Sequence, residues 1–101
     1  MAEDTAMVSD LSEITDRILP TFRKYGVMRA SVFGSFVRGE QTPRSDVDFL
    51  VEFEPGRSLL DLSGLRLELG DLLGRKVDVV THNALHPRLK DRILREQVQI
   101  L

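Results

Sequence analysis

The spacing of apolar residues changes several times along the chain, and each change marks an element. Leu11, Ile14, Ile18, Phe22 and Tyr25 recur at three- and four-residue steps, the repeat that stacks side chains on one face of an α-helix. Asp10 with Glu13 three residues later resembles a capping box. Pro20 predicts a kink, or a restart with the proline in a first turn, and Gly26 suits the terminating position. Val27 to Phe33, bounded by Gly26 and Gly34, is short and rich in β-formers and reads as a buried strand. Residues 34 to 45 hold Gly39, Pro43 and several polar side chains, with room for one helical turn near Ser35 to Arg38 and then a loop.

From Asp46 to Phe53 the period is two. Val47, Phe49, Val51 and Phe53 share one face, and Asp46 and Asp48 share the other. After the Pro55-Gly56 turn, Leu59, Leu62, Leu65, Leu69 and Leu72 trace a helical stripe ending at Gly74 and read as core. Gly64 and Gly70 each weaken this helix by roughly 1 kcal/mol relative to alanine, so close packing against the sheet is expected at both. Lys76 to Val80 reads as a third strand, with Val77 and Val79 inward and Asp78 opposite. Asn83 to Glu96 reads as a last helix with Pro87 in its first turn and Leu85, Leu89 and Ile93 at four-residue spacing. Val98 to Leu101 suits an edge strand. The order of elements predicts an α/β (α+β) fold, one sheet with flanking helices. Residues 1–8 read as a loose N-terminus and 9–101 as the single domain.

Composition narrows the class of protein. A chain of 101 residues has room for one hydrophobic core. Lys+Arg number 14 against 16 Asp+Glu, so no basic field exists for strong nucleic-acid binding. No apolar run approaches the roughly 18 to 20 residues of a membrane span, and the start carries no secretory pattern. Cysteine is absent, which excludes disulfides and thiolate metal sites and fits a reducing compartment. The expectation is a cytoplasmic protein with no membrane association, its oligomeric state left open.

Any metal must therefore be held by carboxylates or histidines. Asp46 and Asp48 point the same way from one strand, and Asp78 on another could close the cluster. An all-carboxylate set suits Mg²⁺ (or Mn²⁺) and the chemistry of phosphoryl or nucleotidyl transfer. Gly34 and Ser35, at a strand-to-helix turn, offer backbone N–H groups and a hydroxyl to the phosphates of a nucleoside triphosphate. Arg38 and Arg44 lie near enough in sequence to neutralise phosphate charge. Two of these residues have plainer alternatives: Arg38 pairs equally well with Glu40 or another acid, and Ser45 either caps the loop or touches the ligand. His82 and His86 flank a helix start, where capping and exposure explain them better than metal ligation. No G-x-x-x-x-G-K-[ST] occurs, which excludes a P-loop NTPase.

The run G34-S35, ten residues, then D46-V-D48 followed by FLV resembles the signature of the DNA polymerase β nucleotidyltransferase superfamily, and V77-D78-V79 resembles its third carboxylate strand. The segment GSFVRGEQTPRSDVDFLVEF is more closely similar to the minimal nucleotidyltransferases, small proteins commonly paired with a HEPN-domain toxin. The similarity runs from about Leu11 onward. It implies that Asp46 and Asp48 bind metal and nucleotide, that Asp78 binds the catalytic metal and helps activate an acceptor hydroxyl, and that Gly34 and Ser35 hold the triphosphate. It further implies ATP as substrate and a tyrosine of the HEPN-type toxin as acceptor, so that the chain acts as an antitoxin by attaching AMP. The rival reading is a non-catalytic antitoxin that only binds its toxin; a nucleotide-sensing regulatory domain is a third. Retention of three mutually repelling acids favours the enzyme, because like charges at close range cost stability without a metal.

Overall fold

A computed structural model of the protein describes residues 11–39 and 46–101. The proposed Asp10–Glu13 capping box falls outside what is described. Helix α1 (Leu11–Lys24) runs through Pro20 as one element, so the proline neither restarts nor divides it. It stops at Gly26, whose φ of +78° is the left-handed conformation that ends helices and favours glycine. Strand β1 (Val27–Phe33) leads into the short helix α2 (Ser35–Arg38), and strand β2 (Val47–Phe53) follows. Helix α3 (Leu59–Leu73) crosses back to strand β3 (Val77–Thr81). A 3-10 turn at His82–Ala84, helix α4 (Pro87–Glu96) and strand β4 (Val98–Gln99) complete the chain.

The four strands form one mixed sheet in the order β3-β2-β1-β4. β1 pairs antiparallel with both β2 and β4, whereas β2 and β3 are parallel, as the helical crossover α3 requires. Edge strand β4 forms within the predicted Val98 to Leu101 segment. A bulge shifts the β1–β2 register between Val27 and Arg29. It explains how Val27 and Ala30, three residues apart, both enter the core.

The core lies between this sheet and the pair α1 and α3. Ile14, Ile18, Phe22, Leu65 and Leu69 meet Ala30, Val32, Val47, Phe49, Val51, Val77 and Val79. Phe22 and Phe49 pack edge to face, 5.4 Å between centroids and 77° between planes, worth about 1 kcal/mol beyond the area they bury. The alternation predicted for β2 and β3 holds. Leu50, of opposite parity, is also buried, but outside this core cluster.

Three expectations need correction. The leucine stripe of α3 is core only at Leu65 and Leu69, with Leu62 and Leu72 partly buried; Leu59 is 78% exposed. Leu59 falls at the first position after the cap: Ser58 caps α3 in a box with Asp61, and Arg57 braces Asp61 at 3.2 Å. Gly64 is explained by close packing, but against the Tyr25 ring of α1 rather than the sheet, since a Cβ there would stand 2.7 Å from Cε1. Gly70 would meet only ordinary contact with the Arg75 carbonyl. The last helix is shorter than predicted, because the chain first makes the 3-10 turn and then restarts at Pro87, capped by His86, whose Nδ1 accepts from the Arg88 N–H at 3.1 Å. Of its predicted apolar face only Ile93 is buried, and Leu89 is half exposed.

Candidate active site

The site residues converge at one end of the sheet, where β1 ends and β2 begins. Pairing is what gathers them. Asp48 lies in register with Phe33 on one side and with Asp78 on the other. The two carboxylates therefore project side by side from adjacent parallel strands, on the face opposite the buried Val47, Phe49, Val77 and Val79. Gly34 follows Phe33 directly and is buried beside them. Its φ is +83°, and a Cβ there would collide with Asp48 Oδ2, so backbone conformation and the approach of the carboxylate both demand glycine. Asp46 immediately precedes β2, with its carboxylate 3.9 Å from Lys76 Nζ; both side chains are substantially exposed.

The electrostatics are those of a site with excess negative charge. Burial, and then the neighbouring Asp78 and Asp46, push the Asp48 carboxyl up to about 6. Arg38 opposes this, and Glu96 adds to it. As they stand, no three His, Asp or Glu side chains among the described residues are gathered closely enough to hold an ion. The donor set nevertheless fits a hard divalent cation: two adjacent carboxylates on rigid strands, a third beside them, and no thiol or imidazole in competition.

Arg38 pairs with an acid, one of the alternatives the sequence left open for it. The acid is Glu96, at the end of α4: Arg38 donates to its Oε1 at 3.0 Å and to its Oε2 at 3.1 Å. The Gly34 N–H donates to the same Oε2 at 3.0 Å. Burial works against the Glu96 charge, yet the hydrogen bonds from Arg38 and Gly34 hold its carboxyl below the ordinary range. No local pattern in the sequence marks this residue. It lies 62 positions from Gly34, and its only signal is an acid closing an amphipathic helix.

The remaining predicted groups fall differently. Arg44, Ser45 and Glu40, and the Ser35 side chain, lie outside the described residues. Helix α2 spans only Ser35–Arg38, too short to lend the dipole expected of a phosphate-binding helix. His86 is a cap, and His82 is exposed, standing away from the carboxylates at the rim of two concavities of about 340 and 520 Å³. Neither concavity is lined by Asp46, Asp48 or Asp78; Asp78 is exposed, and Asp46 and Asp48 are partly buried.

The sequence and the fold are similar to those of known proteins. The nucleotidyltransferase domain model matches residues 15–100. A Methanocaldococcus jannaschii protein named as a candidate protein adenylyltransferase is 54% identical over 92 residues, covering 91% of this chain and 99% of its own length. The protein adenylyltransferase MntA of Thermococcus cleftensis is 44% identical over 77 residues, 76% of this chain and 78% of that one. A solved structure described as a minimal nucleotidyltransferase superposes with a TM-score of 0.79 at 42% identity, covering 94% of this chain and 98% of that one. The same fold recurs at 21% identity in a toxin–antitoxin complex with AMP-PNP (TM-score 0.74, 86% and 72% covered). It recurs at 17% in a Shewanella oneidensis complex of a tri-AMPylated HEPN toxin with its MNT antitoxin (TM-score 0.68, 89% and 71% covered). With one relative matched almost end to end and the domain model spanning nearly the whole fold, the chain belongs to the nucleotidyltransferase family, among its minimal members.

Proposed function

We propose that this nucleotidyltransferase transfers AMP from ATP to a hydroxyl, a tyrosine, of a HEPN-type toxin partner and thereby acts as an antitoxin. The observation that carries the reading is the register pairing of Asp48 with Asp78 and with the strand end that leads into Gly34. It is supported by the 54% identity to a protein named as a candidate protein adenylyltransferase, and by toxin–antitoxin complexes of the same fold, one with AMP-PNP and one with an AMPylated HEPN toxin.

Asp46 and Asp48 would hold Mg²⁺ (or Mn²⁺) with the nucleotide, and Asp78 the catalytic metal. When bound, the cations would offset phosphate charge and polarise the attacked phosphoryl group. The protein's own contribution is positional. Rigid strands fix the spacing of Asp48 and Asp78, so little reorganisation is needed as charge develops. Gly34, with no side chain, lets the polyphosphate approach the backbone, and Ser35, Arg38 and Ser45 are the further nucleotide contacts. Asp78, exposed and in register with Asp48, would accept the proton of the acceptor hydroxyl as that oxygen bonds to the α-phosphorus and pyrophosphate leaves. A bulky anionic adduct near a ribonuclease site would then repel RNA and block its entry.

The electrostatics speak against a chain that only binds its toxin. Asp48 is held beside Asp78 and Asp46 at a cost to the fold that a passive interaction surface has no reason to bear. The test is to incubate the purified chain and its genomic neighbour with labelled ATP, GTP, CTP and UTP in turn, with Mg²⁺. Covalent label on the neighbour from ATP is the expected result. Neutralisation of the neighbour without any incorporated label would overturn the reading.

A further inference from the structure

The donors best placed to receive a triphosphate are already engaged by an anion of the protein itself. The Gly34 N–H and the Arg38 guanidinium both donate to the Glu96 carboxylate, at 3.0 to 3.1 Å. A single N–H can serve one strong acceptor at a time, and a carboxylate beside phosphate oxygens is repelled by them. From this geometry we infer that Glu96 is a built-in plug, a carboxylate seated on the phosphate donors that ATP must displace in order to bind. The inference rests on the transferase reading above.

Three observations support a plug rather than a fixed brace. First, Glu96 contributes to the unfavourable charge around Asp48, so holding it there during turnover would work against the triphosphate. Second, the side chain is 17% exposed, buried enough to block its seat yet open to solvent on one side. Third, the element that carries it is loosely attached. Every residue of α4 from Pro87 to Arg92 is exposed, as is the capping His86, and Ile93 is the helix's only buried side chain. Leu94 and Gln97 then border the 340 Å³ concavity, and β4, two residues beyond Glu96, stays paired with β1, so release is a swing of the Glu96 side chain. Release of Glu96 therefore strips few apolar contacts, whereas moving Gly34 would disturb β1 at its pairing with β2.

The consequence is quantitative. If the seat is filled by Glu96 nine-tenths of the time, the apparent affinity for ATP is reduced about tenfold, because only the open fraction binds. The test measures the Kd for ATP with Mg²⁺ by calorimetry for the parent, E96Q, E96A and E52Q, with circular dichroism and a melting curve to verify folding. Glu52 is an acid of the same strand and parity as Asp48 that pairs, among the described residues, with Arg29 at 3.9 Å, so E52Q removes a charge without touching the Gly34 and Arg38 seat. The plug predicts Kd falling about five- to tenfold in E96Q, at least as far in E96A, and unchanged in E52Q. Equal or weaker binding in folded E96Q would make Glu96 a brace and overturn the inference while leaving the transferase reading intact. An equal gain in E52Q would reduce the effect to general charge and overturn it likewise. If no folded variant, nor the parent, binds ATP, both the plug and the transferase reading fall.

Discussion

Two carboxylates of this protein, Glu68 and Asp48, are both partly exposed residues and are treated in opposite ways. Glu68, on α3, receives Lys24 Nζ at 2.9 Å, the Tyr25 hydroxyl at 3.0 Å and the Thr21 hydroxyl at 3.4 Å. The hydrogen bonds from Lys24 and Tyr25 hold its carboxyl below the ordinary range. Asp48 is instead pushed up to about 6 by burial and by Asp78 and Asp46. The first arrangement joins two helices, and its charge is answered within the fold. The second concentrates charge that Arg38 and Lys76 offset only in part, and that an incoming cation would answer. The contrast separates a carboxylate that stabilises the fold from one held ready for a ligand.

The largest expected effect comes from breaking the partly answered cluster. Asp48→Asn should reduce transfer by about 10²–10³-fold, the scale of losing one preorganised electrostatic group, and a labelled-nucleotide assay measures it. The same variant should melt higher than the parent without ligand, because it removes repulsion. A variant that lost both activity and stability would place Asp48 with the structural acids. Asp78→Asn sharpens the division of labour. Its proposed contact is to the catalytic metal and the acceptor, so the rate should fall about 10²-fold while ATP affinity measured by calorimetry changes little. Equal losses in both would move Asp78 into the nucleotide-holding group.

Smaller effects follow on the structural side. Gly64→Ala would gain about 1 kcal/mol in helix propensity. Against this, it would force the Tyr25 ring, tethered to Glu68, out of a position 2.7 Å from the new methyl, and overpacking of that kind costs about 1–3 kcal/mol. A net loss of about 1 kcal/mol is expected, read as a Tm lowered by roughly 4–8 °C with transfer activity retained. The pH dependence of the two carboxylates should have opposite signs. The folded-state pKa of Asp48 lies above its ordinary 3.8, so the folded state holds that proton more tightly than the unfolded chain. Its contribution to stability is therefore greatest below about pH 4 and is lost as pH rises through about 6, by on the order of 1 kcal/mol after solvent screening. Glu68, held low, contributes above the ordinary carboxylate range and loses its contribution on acidification. Denaturant melts across pH 4–7 should show the falling component in the parent and not in Asp48→Asn.

The strands and their facing were legible because alternation in β2 and β3 is local, and the Gly34, Asp46, Asp48 and Asp78 cluster was legible because the sheet turns that alternation into adjacency. What the sequence could not convey was long-range. Gly64 makes room for Tyr25 across a helix pair, a contact that no period within α3 encodes. The contact of Glu96 with Gly34 and Arg38 joins residues about sixty positions apart through a helix whose apolar pattern overstated its burial. The cap of α3 carries a local signal that the leucine stripe obscured, the S-x-x-D spacing of Ser58 and Asp61 before an apolar run, and it explains why Leu59 faces solvent.

Whether the chain modifies the proposed HEPN-type partner or only holds it is decided most directly by intact mass spectrometry of that partner. The partner is exposed to substoichiometric amounts of this protein with ATP and Mg²⁺, in parallel with the Asp46→Asn/Asp48→Asn variant. The account predicts an AMP mass added to a large excess of partner molecules per enzyme, with no addition by the variant; full neutralisation of the partner with its mass unchanged would contradict it.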